Sequence, residues 1–468
     1  HFGSDVAVLH SSLRVGERYD EWRRIAAGGA HIVVGTRSAV FAPLENLGLI
    51  VVDEEQEHSY KSENTPRYHA REVAFYRGAQ EGALVLLGSA TPSVESMYRA
   101  KSGLYSLYRL EERYNGRSLP RVELADMKQE IRAGNPGAIS APLLDRLIQN
   151  VQDGKQSILF LNRRGNSRCL VCVECGEAPG CPRCSVSLTY HSANNRLMCH
   201  YCGHSQAVPA RCPSCGGPLK SVGFGTQKVE QELHELLPDV PVLRMDADTV
   251  RASNDHEAIL SRFVREKIPI LLGTQMVAKG LDFENVTLVG VLDADLSLYF
   301  GSFRAAETTF SLVTQVVGRA GRGTSAGTAL IQTMTPEHPV LRLAARQDYD
   351  AFYDMEIQLR TLRRFPPLRD VFTVTAACLH EDRLVRSAAT LRQAIAGNLA
   401  AMGLTDADLF GPAPAPVAKV NCVYRYRLSL CCKNSKAVRQ MLAFVLRQFA
   451  KDPKNRGVSA FIDVNSYD

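Results

Sequence analysis

Two short apolar stretches, IPILL at residues 268–272 and VTLVGVL at residues 286–292, decide the fold class of this chain of 468 residues. Each stretch lies between turn residues and segments with helical periodicity, and neither alternates strictly between apolar and polar residues. Short continuous apolar runs that alternate with helices are typical of parallel strands in a sheet covered on both faces. The sequence therefore predicts an α/β fold around these two strands.

Similar apolar runs extend this pattern in both directions along the chain. The same series includes residues 157–161, 241–245 and 328–332, and an earlier series includes residues 6–10, 31–35, 49–53 and 83–88. Helices are predicted at residues 17–27, 67–79, 93–101, 142–152, 226–237, 254–265 and 303–317. We therefore expect two parallel-sheet lobes, with the first at residues 1–120.

The other segments divide the rest of the chain. Residues 113–140 are polar and contain Gly and Pro, so they predict a linker, and the second lobe begins within residues 121–164. A cysteine-rich insertion at residues 165–223 leaves the sheet after its first strand, and the lobe resumes at 224–340. Residues 341–468 predict an α+β domain with helices at 341–363, 383–400 and 435–450, strands at 371–379, 423–432 and 459–464, and a loop at 411–416.

The composition is that of a globular protein, with 45% apolar and 22% charged residues. No apolar run approaches the ~18 residues that a membrane-spanning helix needs. Lys and Arg number 55 against 49 Asp and Glu, a net charge of +6. This mild excess is compatible with a polyanionic partner.

Nine of the 13 cysteines lie between residues 169 and 215, and eight of them form C-x-x-C pairs. Two residues between thiolates let both sulfurs face one ion, and two such pairs complete a tetrahedral zinc site. Eight thiolates leave no coordination position open, so we expect two structural Zn²⁺ ions. The ligands are Cys172, Cys175, Cys181, Cys184, Cys199, Cys202, Cys212 and Cys215.

The order of the pairs allows two arrangements. A nested arrangement joins the two inner pairs and the two outer pairs, whereas a sequential one joins first with second and third with fourth. Only five residues separate Cys175 from Cys181, which favours the nested arrangement. An iron–sulfur cluster is the alternative cofactor, and Cys169 offers a rival pair with Cys172. The scattered cysteines are expected as small buried residues: Cys378, Cys422, Cys431 and Cys432.

Acidic residues follow one strand of the first lobe. In Val51-Val52-Asp53-Glu54-Glu55-Gln56, the acids stand at the carboxyl end of a strand, where ligands bind in parallel sheets. An Asp there can hold the water shell of Mg²⁺, and a Glu can activate water for attack on a γ-phosphate. An acidic surface loop is the alternative for this motif alone. The next strand ends in GSATP, which comprises Gly88, Ser89, Ala90, Thr91 and Pro92.

Two further motifs belong to the second lobe. Residues 273–283 read GTQMVAKGLDF after a predicted strand, and residues 315–323 read QVVGRAGRG at the end of a predicted helix. Arg319 and Arg322 are three residues apart, so on one helical face both could reach the phosphates of a nucleotide. We expect the acids of the first lobe and these arginines to face each other across a shared gap.

The four motifs in this order resemble the superfamily 2 helicases, and with the cysteine insertion they resemble the PriA (primosomal protein N′) family. The resemblance covers nearly the whole chain and implies two RecA-like lobes, the first incomplete. It implies an ATP-dependent 3′–5′ DNA helicase that recognises stalled or abandoned replication forks and initiates primosome assembly. The implied cofactors are ATP, Mg²⁺ and two Zn²⁺ held in the nested arrangement. The implied partners are forked and single-stranded DNA, primosome proteins and single-stranded-DNA-binding protein, in the bacterial cytoplasm at the nucleoid and without a membrane.

The resemblance also implies roles for individual residues. Asp53 and Glu54 match the Mg²⁺-holding and water-activating acids. The arginine-finger motif is matched by Gln315, Arg319 and Arg322. Nucleotide binding and its coupling to movement are implied for Gly88, Ser89, Ala90, Thr91, Gly280 and Asp282. DNA contacts are expected from Thr36, Arg37, Thr274, Gln275 and Lys279, with an ordinary surface arginine as the alternative for Arg37.

The chain departs from the family pattern in two ways. Gln56 stands where His is usual, which we expect to alter coupling more than hydrolysis. No G-x-x-x-x-G-K-[ST] phosphate loop occurs in the 468 residues. Because His1 is not a start methionine and a strand is predicted from residue 6, we expect an N-terminally truncated fragment that hydrolyses little ATP by itself.

Two other functions stay open. One is an RNA-directed or chromatin-type translocase of the same superfamily, which the double cysteine block disfavours. The other is a zinc-stabilised nucleic-acid-binding scaffold without ATPase activity, which the missing phosphate loop favours.

Overall fold

The computed structural model describes residues 2–111, 119–161, 169–182, 187–191, 195–199, 202–222, 226–246, 249, 253–274, 277, 283–299, 302–321 and 326–466. The chain forms two compact units, His1–Arg99 (unit 1) and Ala100–Asp468 (unit 2).

The regular elements are as follows in chain order. The strands are β1 (Val6–Leu9), β2 (Ile32–Gly35), β3 (Leu49–Val52), β4 (Leu84–Leu87), β5 (Arg121–Asp126), β6 (Gln156–Leu161), β7 (Cys169–Cys172), β8 (Thr189–His191), β9 (Arg196–Met198), β10 (Ser205–Ala207), β11 (Leu219–Val222), β12 (Val242–Met245), β13 (Ile270–Gly273), β14 (Val286–Leu292), β15 (Thr328–Thr333), β16 (Asp370–Cys378), β17 (Asp408–Val420), β18 (Val423–Cys432) and β19 (Ser459–Val464). The helices are α1 (Val15–Ala26), α2 (Ala70–Glu81), α3 (Val94–Lys101), α4 (Met127–Arg132), α5 (Ala141–Gln152), α6 (Thr226–Leu236), α7 (Ser253–Arg265), α8 (Ala305–Val317), α9 (Pro339–Arg346), α10 (Tyr349–Arg363), α11 (Glu381–Ala401) and α12 (Lys436–Lys451).

Unit 1 contains two parallel strand pairs. β1 pairs with β2, and β3 pairs with β4 from Leu49↔Leu84 to Val52↔Leu87. Residues of β1 and α1, including Ala7, Leu9 and Ile25, pack into a small apolar core. Because β3 and β4 are parallel, their carboxyl ends lie side by side, and each leads into one of the motifs predicted from the sequence.

Unit 2 is built on a six-stranded sheet in the order β12-β13-β6-β14-β15-β5, with all neighbouring strands parallel. Every residue of β6 and β13 is buried, as continuous apolar runs predict. One core cluster joins Leu159 and Leu272 of the strands to Leu143 and Leu233 of the helices. The five predicted strands of this lobe are confirmed.

The cysteine-rich insertion and the last 100 residues form two smaller parts of unit 2. The insertion contains the antiparallel sheet β10-β9-β8 and the antiparallel pair β11-β7. The C-terminal domain is an antiparallel sheet in the order β17-β18-β16-β19, packed against α11 and α12. The predicted fold class, α/β with a zinc-knuckle insertion and an α+β C-terminal domain, is confirmed. None of the described helices combines the length and apolar content needed to cross a bilayer.

Four local predictions are wrong. The predicted linker holds β5, which pairs with β15 at the edge of the sheet, and edge strands carry polar residues that resemble a loop. The predicted loop 411–416 lies inside β17, also an edge strand, where Pro is tolerated. The helix predicted over 341–363 breaks at Gln347, whose φ is 54°. Cys422 is exposed at the β17–β18 turn with a φ of 65°, whereas Cys378, Cys431 and Cys432 are buried.

Candidate functional site

The acidic turn after β3 has a constrained backbone. Glu54 has a φ of 46°, the left-handed region that side chains other than Gly rarely adopt. Two hydrogen bonds tie the turn to the end of β4: Gly88 N donates to Val52 O at 2.9 Å and Glu55 N donates to Gly88 O at 3.1 Å. Strained backbone held by its surroundings is common at functional sites.

A chain of hydrogen bonds connects this turn with the GSATP motif. Gln56 Nε2 donates to Glu54 Oε2 at 2.7 Å, and Ser89 Oγ donates to Gln56 Oε1 at 2.5 Å. Thr91 N donates to Ser89 Oγ at 2.9 Å. The residue at the position where His is usual therefore bridges the candidate catalytic acid and the second motif. The sequence identifies Gln56 as a departure from the family pattern, but no local pattern predicts that this residue bridges the two motifs.

The two remaining acids of the turn have different environments. Asp53 is exposed, and its Oδ1 lies near Gly88 of the GSATP motif, where an added Cβ would be 3.4 Å away in ordinary van der Waals contact. Tyr60 donates its hydroxyl to Asp53 O at 2.7 Å, and burial together with the Asp53 carboxylate raises the pKa of Tyr60. Asp53 can thus meet a ligand from solvent.

Glu55 is a structural residue that sequence reasoning missed. Its buried carboxylate pairs with Arg71 at 2.6 Å, and it accepts hydrogen bonds from Ser93 N at 2.6 Å and Ser96 Oγ at 3.0 Å. It therefore joins the end of β3 to α2 and to the start of α3. The helix-capping spacing of Ser93 and Ser96 was the available signal, but nothing in the sequence pointed to Arg71.

The two residues of unit 1 that are predicted to contact DNA differ in their surroundings. Thr36 is exposed after β2. Arg37 donates to the carbonyl oxygen of Ser59 at 3.0 Å and to that of Lys61, and its guanidinium lies 5.9 Å from the centre of the Tyr68 ring. Arg37 therefore holds the loop after the acidic turn, and DNA binding by this residue stays a prediction.

Two described motif residues of unit 2, Thr274 and Arg319, lie at opposite ends of its parallel strands. Thr274 follows the carboxyl end of β13, and its N–H donates to Met245 O at 3.4 Å. Arg319 precedes Gly321, whose N–H donates to Val286 O at the amino end of β14. α8 ends at Val317, so the prediction that the arginines share a helical face is wrong for Arg319, which lies in a turn. Gln315 is in α8; Gln275, Lys279, Gly280, Asp282 and Arg322 lie outside the described residues.

The cysteines form the two clusters that nested pairing predicts. In the outer site, the sulfurs of Cys172, Cys175, Cys212 and Cys215 lie within 4.8 Å of one another. In the inner site, those of Cys181, Cys199 and Cys202 do so, and Cys184 lies outside the described residues. The sulfur pairs Cys172–Cys215, Cys175–Cys212 and Cys181–Cys202 are 3.4, 3.6 and 3.6 Å apart. Tetrahedral zinc with Zn–S bonds near 2.3 Å needs about 3.8 Å, so the donor sets fit zinc.

Three of the C-x-x-C turns have the same backbone. Gly176, Gly203 and Gly216 have φ values of 78°, 74° and 75°. Each donates its N–H to the carbonyl oxygen of the first cysteine of its pair at 2.9 Å. The left-handed conformation explains why a glycine follows these pairs.

The thiols of the outer site differ in how readily they ionise. Burial opposes ionisation of Cys172, but N–H groups of Cys175 and Glu174 donate to its sulfur, and its pKa falls to about 7. Burial and the neighbouring thiols raise the pKa of Cys175 to about 12. One thiolate is therefore stabilised by the fold, and a metal ion would supply the charge that stabilises the others.

Three family models match successive parts of the chain. The PriA DNA helicase Cys-rich region domain matches residues 181–206, and the helicase conserved C-terminal domain matches residues 222–324. The primosomal protein N C-terminal domain matches residues 361–467.

Curated relatives match nearly the whole chain. The replication restart protein PriA of Bacillus subtilis (strain 168) is 46% identical, over 100% of this chain and 58% of its own length. The replication restart protein PriA of Treponema pallidum (strain Nichols) is 39% identical, over 96% of this chain and 67% of its own length. That of Rickettsia felis is 34% identical, over 95% of this chain and 68% of its own length. The chain thus spans between about half and two thirds of these proteins. A structure of RecG bound to a three-way DNA junction is 15% identical with a TM-score of 0.41, over 77% of this chain and 36% of that chain.

Proposed function

This chain belongs to the PriA family of replication restart proteins, and on that basis we propose an ATP-dependent 3′–5′ DNA helicase that acts at stalled or abandoned replication forks and initiates primosome assembly. The proposed partners are forked and single-stranded DNA, primosome proteins and single-stranded-DNA-binding protein, in the bacterial cytoplasm at the nucleoid. The observation that carries the catalytic part is the hydrogen-bonded connection Glu54–Gln56–Ser89–Thr91.

The proposed chemistry assigns a task to each acid of the turn. Asp53 would hold hydrated Mg²⁺, which neutralises charge on the phosphates when ATP is bound. Glu54 would accept a proton from the attacking water, and Gln56 Nε2, which donates to its Oε2 at 2.7 Å, would hold the carboxylate in place. Glu55 has no part in the reaction because its carboxylate is buried against Arg71.

Gln56 would carry the state of the nucleotide to the GSATP turn. When Glu54 binds the attacking water, Gln56 Nε2 must share the Glu54 carboxylate with that water or lose its hydrogen bond to the carboxylate. The resulting movement of the Gln56 amide would change the hydrogen bond that Gln56 Oε1 accepts from Ser89. From unit 2, we propose that Gln315, Arg319 and Arg322 stabilise charge on the phosphates and that Gly280 and Asp282 complete the nucleotide site. Thr36, Arg37, Thr274, Gln275 and Lys279 are the proposed DNA contacts.

Two Zn²⁺ ions per chain are proposed for the outer and inner sites. All ligands are thiolates, so the ions would fold the insertion and would not take part in hydrolysis. Metal analysis that finds iron in place of zinc would contradict this assignment.

A second candidate is a zinc-stabilised nucleic-acid-binding scaffold without ATPase activity. The absence of a G-x-x-x-x-G-K-[ST] motif from the 468 residues favours it. DNA-stimulated ATPase activity, measured with this chain and with a longer family protein that contains it, distinguishes the two candidates. If neither shows activity, the scaffold is supported.

The same assay tests Glu54. In the longer protein, E54Q is expected to lower DNA-stimulated ATPase activity by about 10²–10⁴-fold, the usual contribution of a general base. E45Q is the matched control, because Glu45 is an exposed acid of the same unit. Equal activity of E54Q and the control would exclude Glu54 as the base.

A further inference from the structure

The outer zinc site is anchored to the six-stranded sheet. Gly176, which ends the Cys172–Cys175 turn, lies so close to the segment after β15 that a Cβ would be 2.3 Å from Thr335 Cγ2 and 2.6 Å from Met334 O. Tyr299, which follows β14, donates its buried hydroxyl to Gly176 O at 2.6 Å. The turn of the outer site therefore packs on the carboxyl ends of β14 and β15.

Further contacts make this anchor extensive. Val171 of β7 is buried in one apolar cluster with Met127, Tyr299 and Met334. Arg132 of α4 pairs with Glu174, which lies between the two cysteines of the turn, at 2.5 Å.

The surface that receives the outer site is itself fixed. The buried carboxylate of Asp295 accepts hydrogen bonds from Thr333 Oγ1 at 2.6 Å, Met334 N at 2.6 Å and Thr335 Oγ1. The outer site thus rests on a rigid part of the sheet.

The inner zinc site contacts the C-terminal domain instead. A Cβ on Gly203, which ends the Cys199–Cys202 turn, would lie 2.9 Å from Ala413 Cβ and 3.7 Å from Pro412 O. Ala413 is only 1% exposed although β17 is an edge strand. Its neighbours Pro412 and Pro414 have no N–H to donate, so this edge is suited to being covered by packing rather than by strand pairing.

The C-terminal domain has a second attachment through α10. Arg360 of this helix, 1% exposed, pairs with Glu307 of α8 at 2.8 Å and donates to Pro366 O at 3.3 Å. The domain therefore follows a helix that is fixed on the sheet, and the inner zinc turn meets it at a separate strand.

We propose that the cysteine-rich insertion is a strut with a different task for each zinc ion. The outer ion fixes the insertion on the six-stranded sheet, and the inner ion shapes the Gly203 turn that holds β17 of the C-terminal domain. Loss of the inner ion releases β17 and leaves the sheet unchanged, whereas loss of the outer ion loosens both ends. This inference rests on the proposed zinc occupancy but not on ATP hydrolysis.

The task proposed for each zinc ion is tested by measuring hydrogen exchange and zinc content of the 468-residue chain. C181S is expected to reduce zinc from two ions to one and to accelerate exchange about tenfold in residues 408–420, with residues 328–333 unchanged. C212S is expected to accelerate exchange in residues 127–132, 331–335 and 408–420. Unchanged exchange at 408–420 in C181S would overturn the proposal.

A second variant tests the contact without touching a metal ligand. A413L places a larger side chain against Gly203, so we expect two zinc ions but about tenfold faster exchange at residues 202–207 and 408–420. A418L, on the same strand, is the matched control and should match the wild type. If A413L also matches the wild type, the contact does not hold the domain; if the wild type carries only one zinc, the task assigned to the inner ion is wrong.

Discussion

The parallel strands of unit 1 and those of the six-stranded sheet in unit 2 bury their side chains to different extents. In β6 and β13 of unit 2, every residue is buried. In unit 1, alternate apolar residues of all four strands are between 46% and 67% exposed: Val8, Val34, Leu49, Val51, Leu84 and Leu86. The same continuous apolar pattern occurs in the strands of both units. The pattern therefore indicates strands that need packing on both faces of the sheet, but it does not show which part of a protein packs against them.

The two units also hold their motifs by different means. In unit 1, a buried ion pair and a chain of hydrogen bonds fix the acidic turn, whereas in unit 2 apolar packing fixes the sheet. We therefore expect unit 1 to be sensitive to the loss of polar contacts and insensitive to truncation of its exposed apolar residues. Trp22, the only tryptophan of the chain, lies in α1 and can report unfolding of unit 1.

The largest effect is expected from E55A. This variant leaves Arg71 buried without its carboxylate, which should lower the free energy of unfolding of unit 1 by about 3–5 kcal/mol. Trp22 fluorescence in a urea titration measures it. E45A, at an exposed acid, should change it little, and equal stability of the two variants would show that the buried pair does not hold the acidic turn.

A matched pair of leucine truncations compares the sheets directly. L159A in β6 removes a fully buried side chain and should cost about 2–5 kcal/mol. L86A in β4 truncates a half-exposed side chain and should cost below about 1 kcal/mol. Denaturant unfolding followed by circular dichroism for L159A and by Trp22 fluorescence for L86A measures both. Similar losses would mean that the exposed face of unit 1 is covered in solution.

A smaller effect is expected from Q56A. It removes the bridge between Glu54 and Ser89 and leaves the partly buried Ser89 hydroxyl less well satisfied, which should destabilise unit 1 by about 1–2 kcal/mol. Q56H can restore part of the bridge and serves as the matched variant. No change with Q56A, measured by Trp22 fluorescence, would mean that the hydrogen bonds contribute no net stability.

The smallest effect is expected from E54G, and its sign is opposite. Glycine adopts a φ of 46° without strain, so relief of strain should stabilise unit 1 by about 0.5–1 kcal/mol despite the loss of the Gln56 hydrogen bond. Destabilisation in the same titration would show that the hydrogen bond outweighs the strain.

The sequence predicted those features that local patterns encode. Continuous apolar runs located the strands of both units. The short spacing between Cys175 and Cys181 favoured the pairing that the sulfurs adopt.

Features that depend on contacts distant in sequence could not be predicted. Edge strands such as β5 and the proline-containing part of β17 lack an apolar pattern because only one side pairs. The burial of Glu55 depends on Arg71, and the contact of Gly203 depends on Ala413, more than 200 residues away. The misplacement of Arg319 has a local cause instead, because Gly318 directly follows α8 and signals the helix end that puts Arg319 in a turn.

The central proposal, drawn from the motifs of the sequence, is that Glu54 and Arg319 both act in the hydrolysis of ATP. A double-mutant cycle of E54Q and R319A on DNA-stimulated ATPase activity, in a longer family protein that contains this chain, tests it most directly. Substitutions of residues that act as a unit have non-additive effects on activity. We therefore predict that each single variant loses at least about 100-fold in ATPase activity, and that the activity of the double variant is within about tenfold of that of the less active single variant. Losses that multiply fully in the double variant, or a fully active R319A, would contradict the claim.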